Sequence, residues 1–219
     1  TVSLMRFSLL PSLTYAPLAA LRNAVLSIFL CATPILAEPV TILALGDSLT
    51  EGLGLPPEEG FVPQLQAWLA AQGQDVTVIN AGVSGDTTAG GLSRLDWSLT
   101  PEVKAMIVNL GGNDMLRGID PATSRANLDG ILAGAKAKSL PVLLVTQTAP
   151  GNYGAEYKAT FDAMYPDLAS QYGAILSETY FLPLVDPATR MPRAEYMQPD
   201  ATHPNAAGVD IGSASHFVA

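Results

Sequence analysis

The chain has 219 residues, a length that suits one domain with a sizeable core. Hydrophobic residues make up 48% of it and charged residues 14%, which excludes a disordered chain and is compatible with a soluble α/β domain. The formal net charge is -9, from 11 basic and 20 acidic residues without a Lys/Arg cluster, which argues against a nucleic-acid-binding protein.

Residues 1–37 are predicted to be a signal peptide. They contain an apolar run and carry only two charges, Arg6 and Arg22. The natural start is expected at Met5, and Ala37 is the expected last residue before cleavage. The apolar run is shorter than the roughly 20 residues of a transmembrane helix, so an uncleaved membrane anchor is the weaker alternative. Cleavage predicts a periplasmic or secreted protein without stable membrane insertion.

The only cysteine of the chain, Cys31, lies inside this predicted signal peptide. The remaining domain, residues 38–219, would then contain no thiol and no disulfide. A cysteine nucleophile and a cysteine-ligated metal are therefore excluded for that domain.

After the signal peptide, short apolar runs alternate with helical patterns. In chain order, the predicted elements are a strand over 40–45, a helix over 61–71, a strand over 76–79, a helix over 87–99, a strand over 105–110, a helix over 121–138, a strand over 142–145, a helix over 155–171 and a strand over 174–176. Asp120 is a predicted helix cap, and Pro166 is expected to kink or split its helix. Apolar strands that alternate with helices predict a parallel sheet covered on both faces.

Residues with possible chemical roles come after three of these strands. Ser48 follows the first strand, Gly85 the second and Asn113 the third, while His203 comes late in the chain. In parallel sheets, sites lie at the carboxyl ends of the strands. This recurrence is the strongest indication of a functional site that the residues alone provide.

Ser48 stands in a glycine-flanked segment, residues 46–52, directly after a predicted buried strand. Free N–H groups of a helix that begins nearby could stabilise a developing negative charge. The G-x-S-x-G elbow is absent, so the α/β-hydrolase fold is not indicated. A phosphate-binding or purely structural turn is an equally weighted alternative for this segment alone.

The segments after the second and third strands also carry candidates. The glycines of residues 80–87 allow backbone N–H groups to approach a ligand, whereas Ser84 and Asp86 are interpreted as turn or cap residues. Asn113 has a side-chain N–H that can reach an oxyanion, although Asn and Asp also simply form turns.

Asp200 and His203 are three residues apart, so both side chains can lie on the same side of a turn. The carboxylate would hold the ring tautomer and leave the other ring nitrogen as a base. A surface turn and half a metal site are the alternatives, but the chain has only two histidines and no second one at metal-binding spacing. His216 is the rival base, without an adjacent acid.

Taken together, these four segments resemble the sequence blocks of the SGNH, or GDSL, hydrolase family, in order over residues 40–208. Residues 85–95, 111–118 and 152–166 are further similar to the bacterial multifunctional thioesterase/lysophospholipase/arylesterase subgroup. The resemblance implies a three-layer α/β/α flavodoxin-like fold with a central parallel five-stranded sheet. Residues 209–219 depart from the family, which usually continues into a helix, because they are poor helix formers.

The resemblance also implies roles for individual residues. Ser48 matches the nucleophile, and its backbone N–H matches the first oxyanion donor. Gly85 matches the second donor, for which Gly82 fits less well, and Asn113 matches the side-chain donor. Asp200 and His203 match the acid and base of the last block. Residues expected to shape the acyl pocket are Met115, Leu116, Pro150 and Tyr153.

The expected function is therefore hydrolysis of carboxylic esters or thioesters through an acyl-enzyme on Ser48, of the arylesterase, acyl-thioesterase or lysophospholipase type. The expected partner is a small-molecule acyl ester or thioester, and no cofactor, metal or nucleic acid is expected. The protein is expected to be a monomer. A carbohydrate acetylesterase on the same fold and a non-catalytic ligand-binding protein are the alternatives.

Overall fold

The structure, a computed structural model, describes residues 39–179, 181–189 and 191–210. Within these residues the strands are β1 (Val40–Gly46), β2 (Val76–Gly82), β3 (Val103–Asn109), β4 (Val142–Val145) and β5 (Ile175–Ser177). They form a 5-stranded sheet in the order β2-β1-β3-β4-β5, and each neighbouring pair is parallel. The predicted parallel sheet is thus confirmed.

Helices connect these strands. They are α1 (Ser48–Glu51), α2 (Phe61–Ala71), α3 (Thr88–Ser93), α4 (Leu95–Ser98), α5 (Gly112–Leu116), α6 (Pro121–Ala137) and α7 (Ala155–Tyr172). Residues 206–210 are also helical. None of the helices in the described part of the chain combines the length and apolar character needed to cross a bilayer.

Two apolar clusters cover opposite faces of the sheet. Successive residues of a strand point to opposite faces, and β1 divides its side chains accordingly: Leu43 and Leu45 belong to one cluster and Ala44 to the other. The first cluster packs against α6 and α7, and the second packs against α2. The result is the three-layer α/β/α arrangement that the family resemblance implied.

Most of the predicted elements match the structure, and α2 and β4 have the predicted bounds. Asp120 caps α6 as expected, because its side chain accepts a hydrogen bond from the Ala122 N–H. Pro166 was expected to kink or split its helix, and it does not split it, because α7 runs through Pro166. The flanking side chain of Tyr165 is fully buried, and such tertiary packing outweighs the loss of one backbone hydrogen bond.

The single helix predicted over 87–99 is two helices, α3 and α4. The backbone at Arg94 leaves the helical conformation, with φ -107° and ψ 4°. Two adjacent glycines in α3 are poor helix formers. In addition, the Arg94 guanidinium donates a hydrogen bond to the Gly46 carbonyl at 2.9 Å, which draws the chain towards the end of β1.

Several predictions concern residues outside the described part of the chain. The proposed signal peptide, residues 1–37, and most of the unusual C-terminal segment lie there. The individual residues concerned are Met5, Arg6, Arg22, Cys31, Ala37 and His216.

Candidate active site

Ser48, His203 and Asp200 form a hydrogen-bonded chain at the carboxyl end of the sheet. The Nε2 atom of His203 lies 2.9 Å from the Ser48 Oγ, and its Nδ1 lies 2.6 Å from the Asp200 Oδ2. With Nδ1–H donating to the carboxylate, Nε2 is free to accept the serine proton. The geometry is that of a nucleophile, a general base and an orienting acid.

The carboxylate of Asp200 is held by its own turn. Its Oδ1 accepts hydrogen bonds from the backbone N–H groups of Thr202 at 2.9 Å and of His203 at 3.0 Å. The His203 N–H, then the His203 ring and the Thr202 N–H, lower the pKa of Asp200 from 3.8 to about 2. Asp200 is therefore ionised at neutral pH. No group of three or more His, Cys, Asp or Glu side chains in the described residues is placed to hold a metal ion.

Ser48 is the first residue of α1, directly after β1 and Asp47. Asp47 caps this short helix, because its carboxylate accepts a hydrogen bond from the Leu49 N–H at 3.1 Å. Among the described residues, none accepts a hydrogen bond from the Ser48 N–H. The backbone N–H of the candidate nucleophile is therefore available to an oxyanion.

The other two candidate donors lie in the wall of the same cavity as Ser48 and His203. Gly85 has a left-handed backbone, with φ +79°, and lines the cavity together with Asn113. Gly82, the less favoured glycine, is paired with Gly46 inside the sheet and does not line the cavity. The structure thus brings Gly85 rather than Gly82 to the site.

Asp47 is a residue of the site that the sequence reasoning missed. It is only 5% exposed, and its Oδ2 accepts a hydrogen bond from the Asn113 Nδ2 at 3.3 Å. Burial raises the pKa of Asp47 from 3.8 to about 6, against the opposing effects of the Leu49 N–H and of His203. The available signal was its position directly before Ser48, but that position was interpreted only as part of a turn.

The two polar residues beside Gly85 are structural, as the turn or cap interpretation expected. The Ser84 N–H donates to Glu51, and Asp86 forms an ion pair with Arg94 at 2.7 Å. Neither Ser84 nor Asp86 lines the cavity.

A second buried carboxylate, that of Asp114, joins the segment after β3 to α3 and α6. It is fully buried and accepts hydrogen bonds from the Thr88 N–H at 2.8 Å, the Thr88 hydroxyl at 2.5 Å and the Ser124 hydroxyl at 2.8 Å. Asp114 follows Asn113 directly, so this network fixes the backbone that presents the Asn113 amide.

The cavity in front of Ser48 has a volume of about 670 Å³. Of the four residues expected to shape an acyl pocket, Met115, Leu116 and Pro150 line it. Tyr153 does not, and its hydroxyl instead donates a hydrogen bond to the Leu116 carbonyl at 3.2 Å. The lining also contains residues that no sequence motif marked, namely Leu53, Phe181, Pro192 and Met197.

Comparison with known proteins identifies the family. The model of the GDSL-like lipase/acylhydrolase family matches residues 44–211. The chain is 41% identical over 169 residues to esterase TesA of Pseudomonas aeruginosa, covering 77% of this chain and 81% of that protein. It is 35% identical over 187 residues to an arylesterase of Vibrio mimicus, covering 84% and 90% of the two chains.

Comparison with a solved structure points to the same family. The crystal structure of AlinE4, an esterase of the SGNH-hydrolase family, superposes with a TM-score of 0.69 at 43% sequence identity. The match covers 79% of this chain and 90% of AlinE4. The fold, the four sequence blocks and these relatives agree, and the chain belongs to the GDSL-like lipase/acylhydrolase family, as a serine hydrolase of carboxylic esters or thioesters.

Proposed function

We propose that the protein hydrolyses small-molecule acyl esters and thioesters through a covalent acyl-enzyme on Ser48. The observation that carries this proposal is the 2.9 Å contact between the Ser48 Oγ and the His203 Nε2. Both residues line a cavity of about 670 Å³ whose walls are largely apolar. A nucleophile beside its base, facing an apolar cavity, suits the transfer of an acyl group.

The first half of the reaction forms the acyl-enzyme. His203 Nε2 removes the Ser48 proton as Oγ attacks the carbonyl carbon, and the carbonyl electron pair moves to the oxygen. The resulting oxyanion accepts hydrogen bonds from the N–H groups of Ser48 and Gly85 and from the Asn113 side chain. When the carbonyl re-forms, the bond to the alcohol or thiol breaks, and His203 donates the proton to the leaving group.

The second half of the reaction releases the carboxylic acid product. A water molecule loses a proton to His203 and attacks the acyl carbon, through a second oxyanion at the same donors. Collapse of this intermediate breaks the bond to Oγ, and His203 returns a proton to Ser48. Throughout, Asp200 keeps the ring in the tautomer with Nδ1–H and stabilises the imidazolium that forms.

The apolar lining of the cavity suits an acyl group with a hydrocarbon chain. Met115, Leu116, Pro150, Phe181 and Met197 all line the cavity. Their contact with the acyl chain would stabilise it by roughly 0.8 kcal/mol for each buried methylene group. The relatives named arylesterase and thioesterase 1/protease 1/lysophospholipase L1 make aryl esters and acyl thioesters the first substrates to test.

The test uses the purified protein with p-nitrophenyl acetate and butyrate, and compares it with the Ser48→Ala variant. Turnover that disappears in Ser48→Ala supports the proposal, whereas equal release of the chromophore by both proteins contradicts it. Ser93→Ala is a suitable control, because Ser93 is exposed and does not line the cavity. Mass spectrometry after incubation with a fluorophosphonate should place the label on Ser48.

We further propose that residues 1–37 direct export and are removed, and that the remaining domain acts in the periplasm or outside the cell. The apolar run behind two basic residues and the small residue Ala37 support this proposal. Expression in a bacterial host, followed by N-terminal sequencing of the periplasmic and secreted protein, tests it. A chain that stays in the cytoplasm and keeps these residues would contradict it.

The protein is also proposed to act as a monomer. Each of the groups assigned to the reaction belongs to this one chain and reaches the same cavity. Light scattering coupled to size-exclusion chromatography tests this proposal, and activity confined to a dimeric fraction would overturn it.

A further inference from the structure

The turn that carries the Gly85 N–H is held by a charged side chain on each side of Gly85. Before Gly85, the Ser84 N–H donates a hydrogen bond to the Glu51 Oε2 at 2.7 Å, and the Ser84 hydroxyl contacts the same oxygen. After Gly85, its carbonyl accepts a hydrogen bond from the Arg117 guanidinium at 2.7 Å. Hydrogen bonds to ionised groups of this kind are stronger than those between neutral groups.

Both charged residues come from elements that carry another group of the site. Glu51 is the last residue of α1, the helix that begins with Ser48. Arg117 follows α5 directly, the helix that contains Asn113. The two contacts therefore tie Gly85 to the helix of the nucleophile and to the helix of the side-chain donor.

The other contacts of this turn hold its ends rather than its centre. The Val83 N–H donates to the Gly46 carbonyl at 3.1 Å, and the Asp86 N–H donates to the Val83 carbonyl at 3.0 Å. The Asp86 side chain is held by Arg94. These contacts leave the Ser84 N–H and the Gly85 carbonyl to Glu51 and Arg117.

The centre of the turn needs such contacts because glycine has the greatest backbone freedom of any residue. The Gly85 N–H belongs to the peptide group between Ser84 and Gly85, and the contacts with Glu51 and Arg117 hold the peptide groups on either side of it. A movement of either neighbouring peptide group would change the direction of the Gly85 N–H. An oxyanion donor works only within a narrow range of distance and direction, so a small rotation lowers the rate of the reaction.

We infer that Glu51 and Arg117 are positioning residues that aim the Gly85 N–H at the oxyanion, an inference that rests on the proposed acyl transfer by Ser48. The alternative is that both are ordinary surface charges. Both side chains are exposed, and exposed ionic contacts contribute little to the free energy of unfolding. Their removal should therefore lower kcat and leave the Tm unchanged.

The test compares Glu51→Ala and Arg117→Ala with the conservative variants Glu51→Gln and Arg117→Lys. Each alanine variant is expected to lose roughly tenfold in kcat with an unchanged KM, less than the roughly 10²–10³-fold loss when a donor is removed outright. Gln keeps an oxygen that accepts the Ser84 N–H, and Lys keeps a cation that donates to the Gly85 carbonyl. Both are expected to recover most of the lost kcat.

A control variant and a second measurement complete the test. Glu58→Ala serves as the control, because Glu58 is also an exposed acid but, unlike Glu51, has no hydrogen bond to the turn around Gly85 among the described residues. Labelling of Ser48 by a fluorophosphonate should slow in parallel with kcat in the alanine variants. Alanine variants with wild-type kcat, or a kcat loss that follows a lower Tm and is not recovered by Gln or Lys, would overturn the inference. A wild-type protein without Ser48-dependent turnover would instead contradict the proposed function itself.

Discussion

The side-chain amide of Asn113 donates a hydrogen bond to the carboxylate of Asp47, with 3.3 Å between Nδ2 and Oδ2. An amide group carries two N–H bonds, so this contact fixes one of them and leaves the second for the cavity. The residue before Ser48 thus orients the Asn113 side chain, which reaches the cavity from α5, the helix that follows a different strand. Two predictions concern this pair.

The first prediction is that Asp47→Asn stabilises the protein at neutral pH. Burial raises the pKa of Asp47 from 3.8 to about 6, so the folded state keeps a proton that the unfolded state has lost. Stability therefore falls as the pH rises from 3.8 to about 6. Asn also caps helices well, and the variant should gain up to about 3 kcal/mol in the free energy of unfolding near pH 7.5.

Urea denaturation of wild type and Asp47→Asn at about pH 7.5 and about pH 4 measures this effect. The stability difference should nearly vanish at the lower pH, where the wild-type carboxyl is protonated in the folded state. A difference of equal size at both pH values would show that burial of the charge is not its cause.

The second prediction is that Asn113→Ala lowers kcat by roughly 10²–10³-fold and changes KM little, because the lost hydrogen bond forms only as the oxyanion develops. Steady-state kinetics with p-nitrophenyl butyrate measures both constants. A loss that appears in KM alone would assign Asn113 to substrate binding instead.

A third prediction concerns Asp200→Asn. The variant should lose roughly 10²–10⁴-fold in kcat, because a neutral amide no longer fixes the Nδ1–H tautomer of His203 or stabilises its charge. The pKa of Asp200 is about 2, so its carboxylate is ionised over the whole working range. The variant should accordingly be impaired at both about pH 7.5 and about pH 9, because the wild-type carboxylate is ionised at both. A variant with wild-type kcat at either pH would contradict the role assigned to Asp200.

A fourth prediction is that alanine substitutions at Gly82 and Gly73 have different effects on activity. A Cβ on Gly82 would collide with the backbone of Thr50 and Glu51 in α1, so Gly82→Ala should cost about 1–3 kcal/mol and reduce activity by moving Ser48. Gly73→Ala is the control: Gly73 has φ +73° but nothing within 4 Å of the added atom. Its backbone strain should lower the Tm without a change in kcat. Equal effects of the two variants on kcat would argue against contact with α1 as the mechanism.

A fifth prediction concerns acyl selectivity. Leu116 lines the cavity and is 59% exposed, so Leu116→Ala should change the ratio of kcat/KM for octanoate and butyrate esters by roughly tenfold. Tyr153→Phe removes only the hydrogen bond to the Leu116 carbonyl and should give a smaller change. Ile175→Ala, at an exposed position of β5, is the control. Selectivity that is unchanged at both Leu116 and Tyr153 would exclude this wall from the acyl site.

The features that could be predicted from the sequence are those determined by residues close together in the chain. The bounds of α2 follow from apolar spacing between two glycines, and Asp200 can reach His203 because only three residues separate them. The contact of Asp47 with Asn113 spans 66 positions and that of Arg117 with Gly85 spans 32, and no periodicity encodes such pairs. The wall around Phe181 and Pro192 was missed for the same reason, because it comes from an irregular segment without a motif.

The pairing of Asp200 with His203 is local, because its hydrogen bonds stay within one short turn. The approach of this pair to Ser48, in contrast, depends on contacts between the turn and distant parts of the chain. Gln198 makes one such contact, since its side-chain amide donates to the Leu53 carbonyl at 2.8 Å. If the turn moved as a rigid unit, Ser48 would therefore lose its contact with His203, while the turn and the rest of the domain stayed folded. The enzyme would then be inactive without being unfolded.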